Sequence, residues 1–190
     1  MKAVTVGFAM CGSYCTFEKA FAALEHMKGL YADIVPIMSG NAAGVDTRFG
    51  RAKEHVHRLE SICGKEVLTT IPEVEPLGPQ GLLDIIVIVP CTGTTLAKIA
   101  NGISDSSVTM AAKAHLRNGR PLLIALSTND ALSGNAENLG RLLNRKNVFF
   151  VPMGQDDPLA KPNSLSADYE RIPEAIDCAV RGVQLQPLLL

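Results

Sequence analysis

The sequence has 190 residues, the length of one ordinary domain, and we expect residues 1–190 to form a single domain. Its 18 basic and 19 acidic side chains give a formal net charge of −1, which argues against a nucleic-acid-binding protein. Because 47% of the residues are hydrophobic and 19% are charged, the chain can bury a core and is not expected to be disordered.

The sequence gives no sign of export or membrane insertion. The apolar stretch in residues 1–7 is too short for a signal peptide, and no segment approaches the roughly 18 apolar residues of a membrane span. The cysteines are odd in number and scattered, without a Cys-x-x-Cys pair. We therefore expect free thiols and a cytoplasmic protein.

Short apolar runs alternate with helical patterns along the whole chain. The apolar runs predict strands over residues 3–9, 32–38, 66–69, 84–89, 122–126 and 147–151. Apolar residues spaced three and four apart predict helices over residues 16–28, 47–63, 96–101, 107–118, 135–145 and 168–181. The remaining long segments, 39–46, 71–81 and 154–164, are predicted loops.

This alternation is typical of βαβ units, and it predicts an α/β, three-layer Rossmann-like fold with a parallel sheet of about six strands. The run 84–89 is apolar without interruption after its first residue, as expected of a strand covered on both faces. In such sheets, ligands bind beyond the carboxyl ends of the strands. Candidate site residues are therefore sought where each predicted strand ends.

Gly12 and Ser13 lie between the first predicted strand and the helix that follows. A glycine, a hydroxyl and free helix N–H groups suit a phosphate group. An ordinary helix cap explains the same pair, and the G-x-G-x-x-G and P-loop motifs are both absent. Ser39 follows the second strand in the same way.

Thr92, Gly93, Thr94 and Thr95 follow the most apolar strand directly. Three hydroxyls and a glycine at a helix start again fit an oxyanion or a phosphate. Lys98, one turn further on, could add positive charge. The alternative is simple helix capping by Thr94 or Thr95.

The next strand is followed by Ser127, Thr128, Asn129 and Asp130, which together carry many hydrogen-bonding groups. These side chains could hold the polar edge of a ring. A capped turn is the alternative interpretation.

The polar segment 154–164 supplies candidate substrate-binding or lid residues: Asp156, Asp157, Lys161 and Asn163. Long polar loops of this kind are either functional or mobile. Two adjacent carboxylates are weak grounds for a metal site, so none is predicted. No residue of the chain can be assigned a catalytic role from the sequence.

Residues 90–105 resemble the P-x-[ST]-x-N-T-x-x-K-x-A-x-G-x-x-D segment of the flavoprotein family, which includes phosphopantothenoylcysteine decarboxylase, the lantibiotic cysteine decarboxylases and the prenyl-FMN synthases. Gly12 and Ser13 match this family as well. The resemblance implies FMN as a cofactor. The residues that would bind it are Gly12, Ser13, Ser39, Thr92, Gly93, Thr94, Thr95, Ser127, Thr128, Asn129 and Asp130.

A longer, nearly collinear set of segments resembles the B-subunit family of dipicolinate synthase. These segments are residues 108–118, 120–121, 127–132, 146–152, 154–158, 161–164 and 184–187. This resemblance implies a homo-oligomer that works with an A subunit, with NADP bound on that partner. The pair would oxidise a dihydrodipicolinate-level intermediate, a small dicarboxylate, to dipicolinic acid in the mother-cell cytoplasm of a sporulating bacterium.

The sequence departs from the decarboxylases of the flavoprotein family at three places. Thr94 stands where the motif usually has Asn, and the segment 69–80 has no counterpart of the catalytic His. Residues 127–130 replace the P-x-M-N-x-x-M-W loop. Cysteine decarboxylation is therefore disfavoured. Two functions stay open, namely an oxidoreductase subunit and a non-catalytic, flavin-free subunit that organises or stabilises the A subunit.

Overall fold

Seven strands form one mixed sheet in the computed structural model, which describes residues 2–190. The strands are β1 (Lys2–Met10), β2 (Tyr31–Met38), β3 (Ile85–Cys91), β4 (Leu122–Thr128), β5 (Val148–Phe150), β6 (Met153–Gly154) and β7 (Leu165–Ala167). The helices are α1 (Phe17–Leu30), α2 (Gly40–Gly44), α3 (Ala52–Cys63), α4 (Ile71–Val74), α5 (Gly93–Ala100), α6 (Ser107–Arg117), α7 (Ala136–Leu143) and α8 (Ile172–Val180). Short 3₁₀ turns cover Tyr14–Thr16, Glu75–Leu77 and Tyr169–Arg171.

Strand β4 has two different partners on one side. The strands β2-β1-β3-β4-β5 pair in parallel, and β5 contacts only the first part of β4, from Leu122 to Ile124. The end of β4 pairs antiparallel with β7, through Ser127 and Thr128, and β6 pairs with the far side of β7. The predicted α/β fold is confirmed, with one correction: the sheet is mostly parallel rather than wholly parallel.

The sheet separates two apolar layers, because successive side chains of a strand point to opposite faces. Phe8 of β1 belongs to the layer that α1, α3 and α8 cover. Its neighbour Ala9 belongs to the layer that α5, α6 and α7 cover. Every residue of β3 is buried, as predicted for a strand covered on both faces. The three-layer arrangement places the ends of β1, β3 and β4 side by side.

Helix α3 begins at Ala52, five residues later than predicted. Thr47 and Gly50 instead form a tight turn, in which each backbone N–H donates to the other's carbonyl at 3.0 and 3.1 Å. Gly50 has a φ of 135°, which interrupts a helix, and Asp46 Oδ1 accepts a hydrogen bond from the Ala52 N–H at 2.8 Å. The apolar spacing that starts at Phe49 extended the predicted helix too far.

The segment between α3 and β3 was predicted as a short strand and then a loop. Only Leu68 pairs with β2, as an isolated bridge to Ile37, so the strand over 66–69 is wrong. Residues 71–81 contain α4 and a 3₁₀ turn. Glu73 accepts hydrogen bonds from the N–H groups of Thr69 and Thr70 at 2.8 Å each, and these bonds lower the pKa of its carboxyl group.

The predicted helix over 168–181 is a 3₁₀ turn followed by α8, and the two short strands β6 and β7 lie in a segment with no predicted strand. None of the helices in residues 2–190 has the length and apolar character needed to cross a membrane.

Candidate functional site

The carboxyl ends of β1, β3 and β4 meet at one edge of the sheet. The Thr92 N–H, just after β3, donates to the Cys11 sulfur at 3.5 Å. Ser13, after β1, and Ser127, in β4, share a hydroxyl hydrogen bond of 3.0 Å that passes over the end of β3. The candidate residues of these strand ends are thus close together, as the sheet topology requires.

Helix α5 is capped by Thr92, not by Thr94 or Thr95. The Thr92 hydroxyl accepts from the Thr95 N–H at 3.2 Å and donates to the Thr95 hydroxyl at 3.1 Å. The first N–H groups of a helix have no partner inside it. The Thr92 cap accepts the Thr95 N–H. The N–H groups of Gly93 and Thr94 therefore stay available for a ligand.

Three clefts meet at Thr92, which lies on the wall of each. We name the first the Ser39 cleft. It has a volume of about 470 Å³, and its wall includes Cys11, Gly12, Ser39, Asn41, Thr92, Thr94, Thr95, Lys98, Ser106 and Ser107. The Ser39 hydroxyl accepts from the Ala42 N–H at 3.3 Å, so it caps α2 at the wall of this cleft. At its rim, Lys98 forms an ion pair with Asp105 at 2.9 Å.

The second cleft, which we name the Ser127 cleft, has a volume of about 630 Å³. Its wall includes Ser13, Cys15, Thr16, Lys19, Arg48, Ser127, Asn129, Asp156, Lys161, Ser164 and Ser166. Its wall also includes Thr92, which it shares with the Ser39 cleft. A Cβ atom added to Gly12 would lie 3.2 Å from the Thr92 methyl carbon, so this contact allows little more than a hydrogen atom.

The loop over residues 155–164 closes one side of the Ser127 cleft. Asp156 accepts hydrogen bonds from Ser164 at 2.6 Å and from Lys161 at 3.0 Å, and these partners lower the pKa of its carboxyl group. Asp157 instead caps the turn inside the loop, accepting from the Ala160 N–H at 3.0 Å. Asn163 contributes its backbone carbonyl, which accepts from the Leu132 N–H at 3.0 Å. Both adjacent carboxylates therefore organise the loop.

The third cleft, which we name the Asp130 cleft, has a volume of about 520 Å³ and runs along α5 and α7. The Asp130 carboxylate accepts from Thr128 at 2.5 Å and from Asn135 at 2.7 Å. These three side chains surround Gly93, whose added Cβ would lie 2.5–2.7 Å from one atom of each. Asp130 thus positions the start of α5, and its two carboxylate oxygens both have partners already.

Two buried thiols lie under the Ser39 cleft. The Cys11 sulfur donates to the Pro90 carbonyl at 3.1 Å. A hydrogen bond from the Cys91 thiol lowers the pKa of Cys11 to about 7 against the opposing effect of burial, with smaller contributions from Thr95 and Thr92. The same interaction and burial raise the pKa of Cys91 well above its usual range.

Residues 2–190 contain no group of three or more His, Cys, Asp or Glu side chains that could hold a metal ion. Within the same residues, no histidine lies on the wall of any of the three clefts, so none is placed there as a catalytic base. His115 is fully buried away from the strand ends, where burial lowers its pKa to about 4.

Comparison with known proteins gives the family. The family model described as Flavoprotein matches residues 1–183. The B subunit of dipicolinate synthase from Bacillus subtilis is 44% identical over 190 residues, which are 100% of this chain and 95% of that protein. The chain belongs to the flavoprotein family, among its dipicolinate synthase B subunits. The recognised resemblance is thereby confirmed over the whole chain.

Solved structures agree with this assignment. The crystal structure of the dipicolinate synthase B subunit from Bacillus halodurans has a TM-score of 0.90 and 42% identity, and the match covers 98% of this chain and 96% of that one. The FMN-dependent cysteine decarboxylase SpaF has a TM-score of 0.70 and 20% identity, with 94% and 95% covered. That second likeness shows the fold alone.

Several residues at the clefts of this family member were not predicted from its sequence: Tyr14, Lys19, Asn41, Arg48, Ser106, Ser107, Ser164 and Ser166. Ser106 had a readable signal, because its hydroxyl accepts from the Thr109 N–H as a helix cap. Arg48 was placed inside a predicted helix. Nothing in the local pattern marks Tyr169, which reaches the strand ends only through the fold.

Proposed function

We propose that this chain is the B subunit of a dipicolinate synthase. With a nicotinamide-dependent A subunit, it would oxidise a dihydrodipicolinate-level intermediate to dipicolinic acid in the mother-cell cytoplasm of a sporulating bacterium. Full-length identity of 44% to a protein of that name supports the assignment. The observation that carries it is the convergence of residues from three strand ends on one cleft: Gly12, Ser39, Thr92, Thr94 and Thr95.

The Ser39 cleft has the groups that FMN requires at its phosphate end. Hydroxyls of Ser39 and Thr94 lie on the wall, and the free Thr94 N–H at the N-terminus of α5 attracts a phosphate. Its volume of about 470 Å³ is within the range of small-ligand sites. When bound, FMN would supply a hydride acceptor for the oxidation. The chain's own residues would bind the phosphate and fix its position.

The polar wall of the Ser39 cleft favours a second candidate function, in which the chain binds no flavin and organises the A subunit. Ligand sites are mostly lined by apolar and aromatic side chains. In the Ser39 cleft, the large apolar surfaces are those of Tyr14 and Ile71, and hydroxyls, amides and glycines make up most of the rest. In this alternative, NADP on the A subunit accepts the hydride, and the strand ends of this chain bind an anion only.

The absorbance spectrum of the purified chain, recorded after addition of FMN and dialysis, separates the two functions. A retained flavin band supports FMN binding at the Ser39 cleft, and no retained band supports the flavin-free alternative. Gly12→Ala should weaken a retained band, because the added Cβ presses on the Thr92 methyl group at 3.2 Å. The matched control is Gly29→Ala, where an added Cβ meets nothing within 4 Å.

Dipicolinate formation by the reconstituted pair of subunits tests the pathway assignment. We expect no formation when this chain is left out and nicotinamide-dependent formation when it is present. Full activity of the A subunit alone would contradict the proposed role. The same preparation gives the oligomeric state, which we expect to be a homo-oligomer of this chain.

A further inference from the structure

The Ser127 cleft concentrates positive charge that other groups do not neutralise. Its wall carries Lys19, Arg48 and Lys161. Lys161 is paired with Asp156, the carboxylate of this wall. Lys19 and Arg48 form no ion pair in the part of the chain that the structure describes, and the Arg48 guanidinium lies 4.8 Å above the exposed Phe49 ring. Two cations are therefore free to act on a ligand.

A buried hydroxyl beside two residues of the same wall makes no well-formed hydrogen bond. Tyr169 is only 7% exposed, and its hydroxyl lies beside those of Thr16 and Ser127 but makes no hydrogen bond within residues 2–190. Burial raises its pKa to about 12, so the proton stays on the phenol at neutral pH. Buried donors of this kind are rare and normally point to a function or a partner.

The neighbouring hydroxyls form a chain that leads from Tyr169 to the cleft. Thr16 already donates to the Ser13 carbonyl at 2.8 Å. Ser127 and Ser13 share one hydrogen bond at 3.0 Å. If Tyr169 donates to Ser127, Ser127 must donate to Ser13, and the Ser13 proton is then left to point into the cleft. In that order of donors, an acceptor bound in the cleft would complete the row of hydrogen bonds.

We propose that the Ser127 cleft binds the carboxylate of a small organic acid, which accepts a hydrogen bond from Ser13 and is held by Lys19 and Arg48. The planar guanidinium of Arg48 matches two carboxylate oxygens, and Lys19 adds a point charge. This site is distinct from the Ser39 cleft, because among the described residues the two walls have only Thr92 in common.

Calorimetric titration of the full chain with two probes tests the site. Glutarate tests carboxylate binding alone, and pyridine-2,6-dicarboxylate is a probe whose choice rests on the proposed function. Arg48→Gln and Lys19→Gln should each weaken binding about tenfold. Lys53→Gln, which removes the same charge from an exposed position of α3, should leave binding unchanged and so controls for long-range electrostatics.

Tyr169→Phe tests the chain of hydroxyls. It should weaken binding about fivefold while the melting temperature stays the same or rises, because the buried hydroxyl has no partner in the protein alone. A lower melting temperature with unchanged affinity would assign the phenol a structural role and overturn the chain.

The outcomes separate this site from the proposed function. Binding of glutarate alone, weakened by Arg48→Gln, would support the site and overturn dipicolinate as its ligand. Binding of either probe that is equal in Arg48→Gln, Lys19→Gln and Lys53→Gln would overturn the site. Absence of binding by both probes would also overturn it, while the flavin spectrum and the reconstituted activity would still test the proposed function.

Discussion

Gly93→Ala should destabilise the protein, because the added methyl group at the start of α5 would clash with three side chains that surround Gly93. The added methyl group would lie 2.5 Å from Asn135 Nδ2 and 2.7 Å from both Asp130 Oδ1 and Thr128 Oγ1. Real Cβ atoms are not found at such distances, so all three side chains must move. The Asp130 carboxylate accepts hydrogen bonds from Thr128 at 2.5 Å and from Asn135 at 2.7 Å. A shift of any of these side chains therefore breaks a hydrogen bond to another.

The size of the effect follows from those contacts. Complete loss of a hydrogen bond to a carboxylate costs about 1.5–3 kcal/mol, and two such bonds are affected here. Overpacking by a methyl group costs about 1–3 kcal/mol. Partial relaxation and the better helix propensity of Ala offset about 1 kcal/mol. We therefore expect unfolding free energy to fall by at least about 3 kcal/mol, and the melting temperature to fall by at least roughly 6 °C.

Denaturant and thermal unfolding followed by circular dichroism measure this change. Gly140→Ala is the matched control, because Gly140 lies within α7 and an added Cβ there meets nothing within 4 Å. The same substitution should raise stability there by about 0.5–1 kcal/mol. A Gly93→Ala protein as stable as the wild type would refute the tightly packed network around Asp130.

Two further changes concern titrating groups. The pKa of His115 is lowered to about 4 by burial, so between pH 6.5 and pH 4 the unfolded chain binds a proton that the folded chain does not. Unfolding free energy should therefore fall by up to about 3 kcal/mol as pH is lowered through that window. His115→Gln should flatten the slope of unfolding free energy against pH. An unchanged slope would show that other groups cause it. Cys91→Ala removes the thiol that lowers the pKa of Cys11, so that pKa should rise, as thiolate absorbance at 240 nm against pH would show. An unmoved titration would contradict the hydrogen bond between the two thiols.

The strand ends that hold the candidate site could be predicted because their signals are local. The apolar run of β3 and the hydroxyls from Thr92 to Thr95 adjoin in the sequence, and the parallel topology then brings Gly12 and Ser127 to the same edge. Strands β6 and β7 could not be predicted in this way. They contain two and three residues, and their pairing with each other and with the end of β4 depends on contacts distant in sequence.

Individual site residues were missed for related reasons. Arg48 reaches the Ser127 cleft because the turn closed by Gly50 delays the start of α3, and apolar spacing alone does not register a glycine with a φ of 135°. Tyr169 lies beside Thr16 and Ser127 of that wall because a 3₁₀ turn follows β7. Its role depends on Thr16 and Ser127, which lie far from it in the sequence.

The division of β4 between β5 and β7 makes this strand part of two hydrogen-bonded units. The parallel unit buries the centre of the sheet, whereas only the pairs Ser127 with Ser166 and Thr128 with Leu165 join the antiparallel unit to it. Opening at those two pairs breaks few strand-to-strand hydrogen bonds, so we expect the amide protons of the antiparallel unit to exchange before those of the parallel unit. A ligand can then enter the Ser127 cleft by local opening of the antiparallel unit, without global unfolding and without disturbing the centre of the sheet.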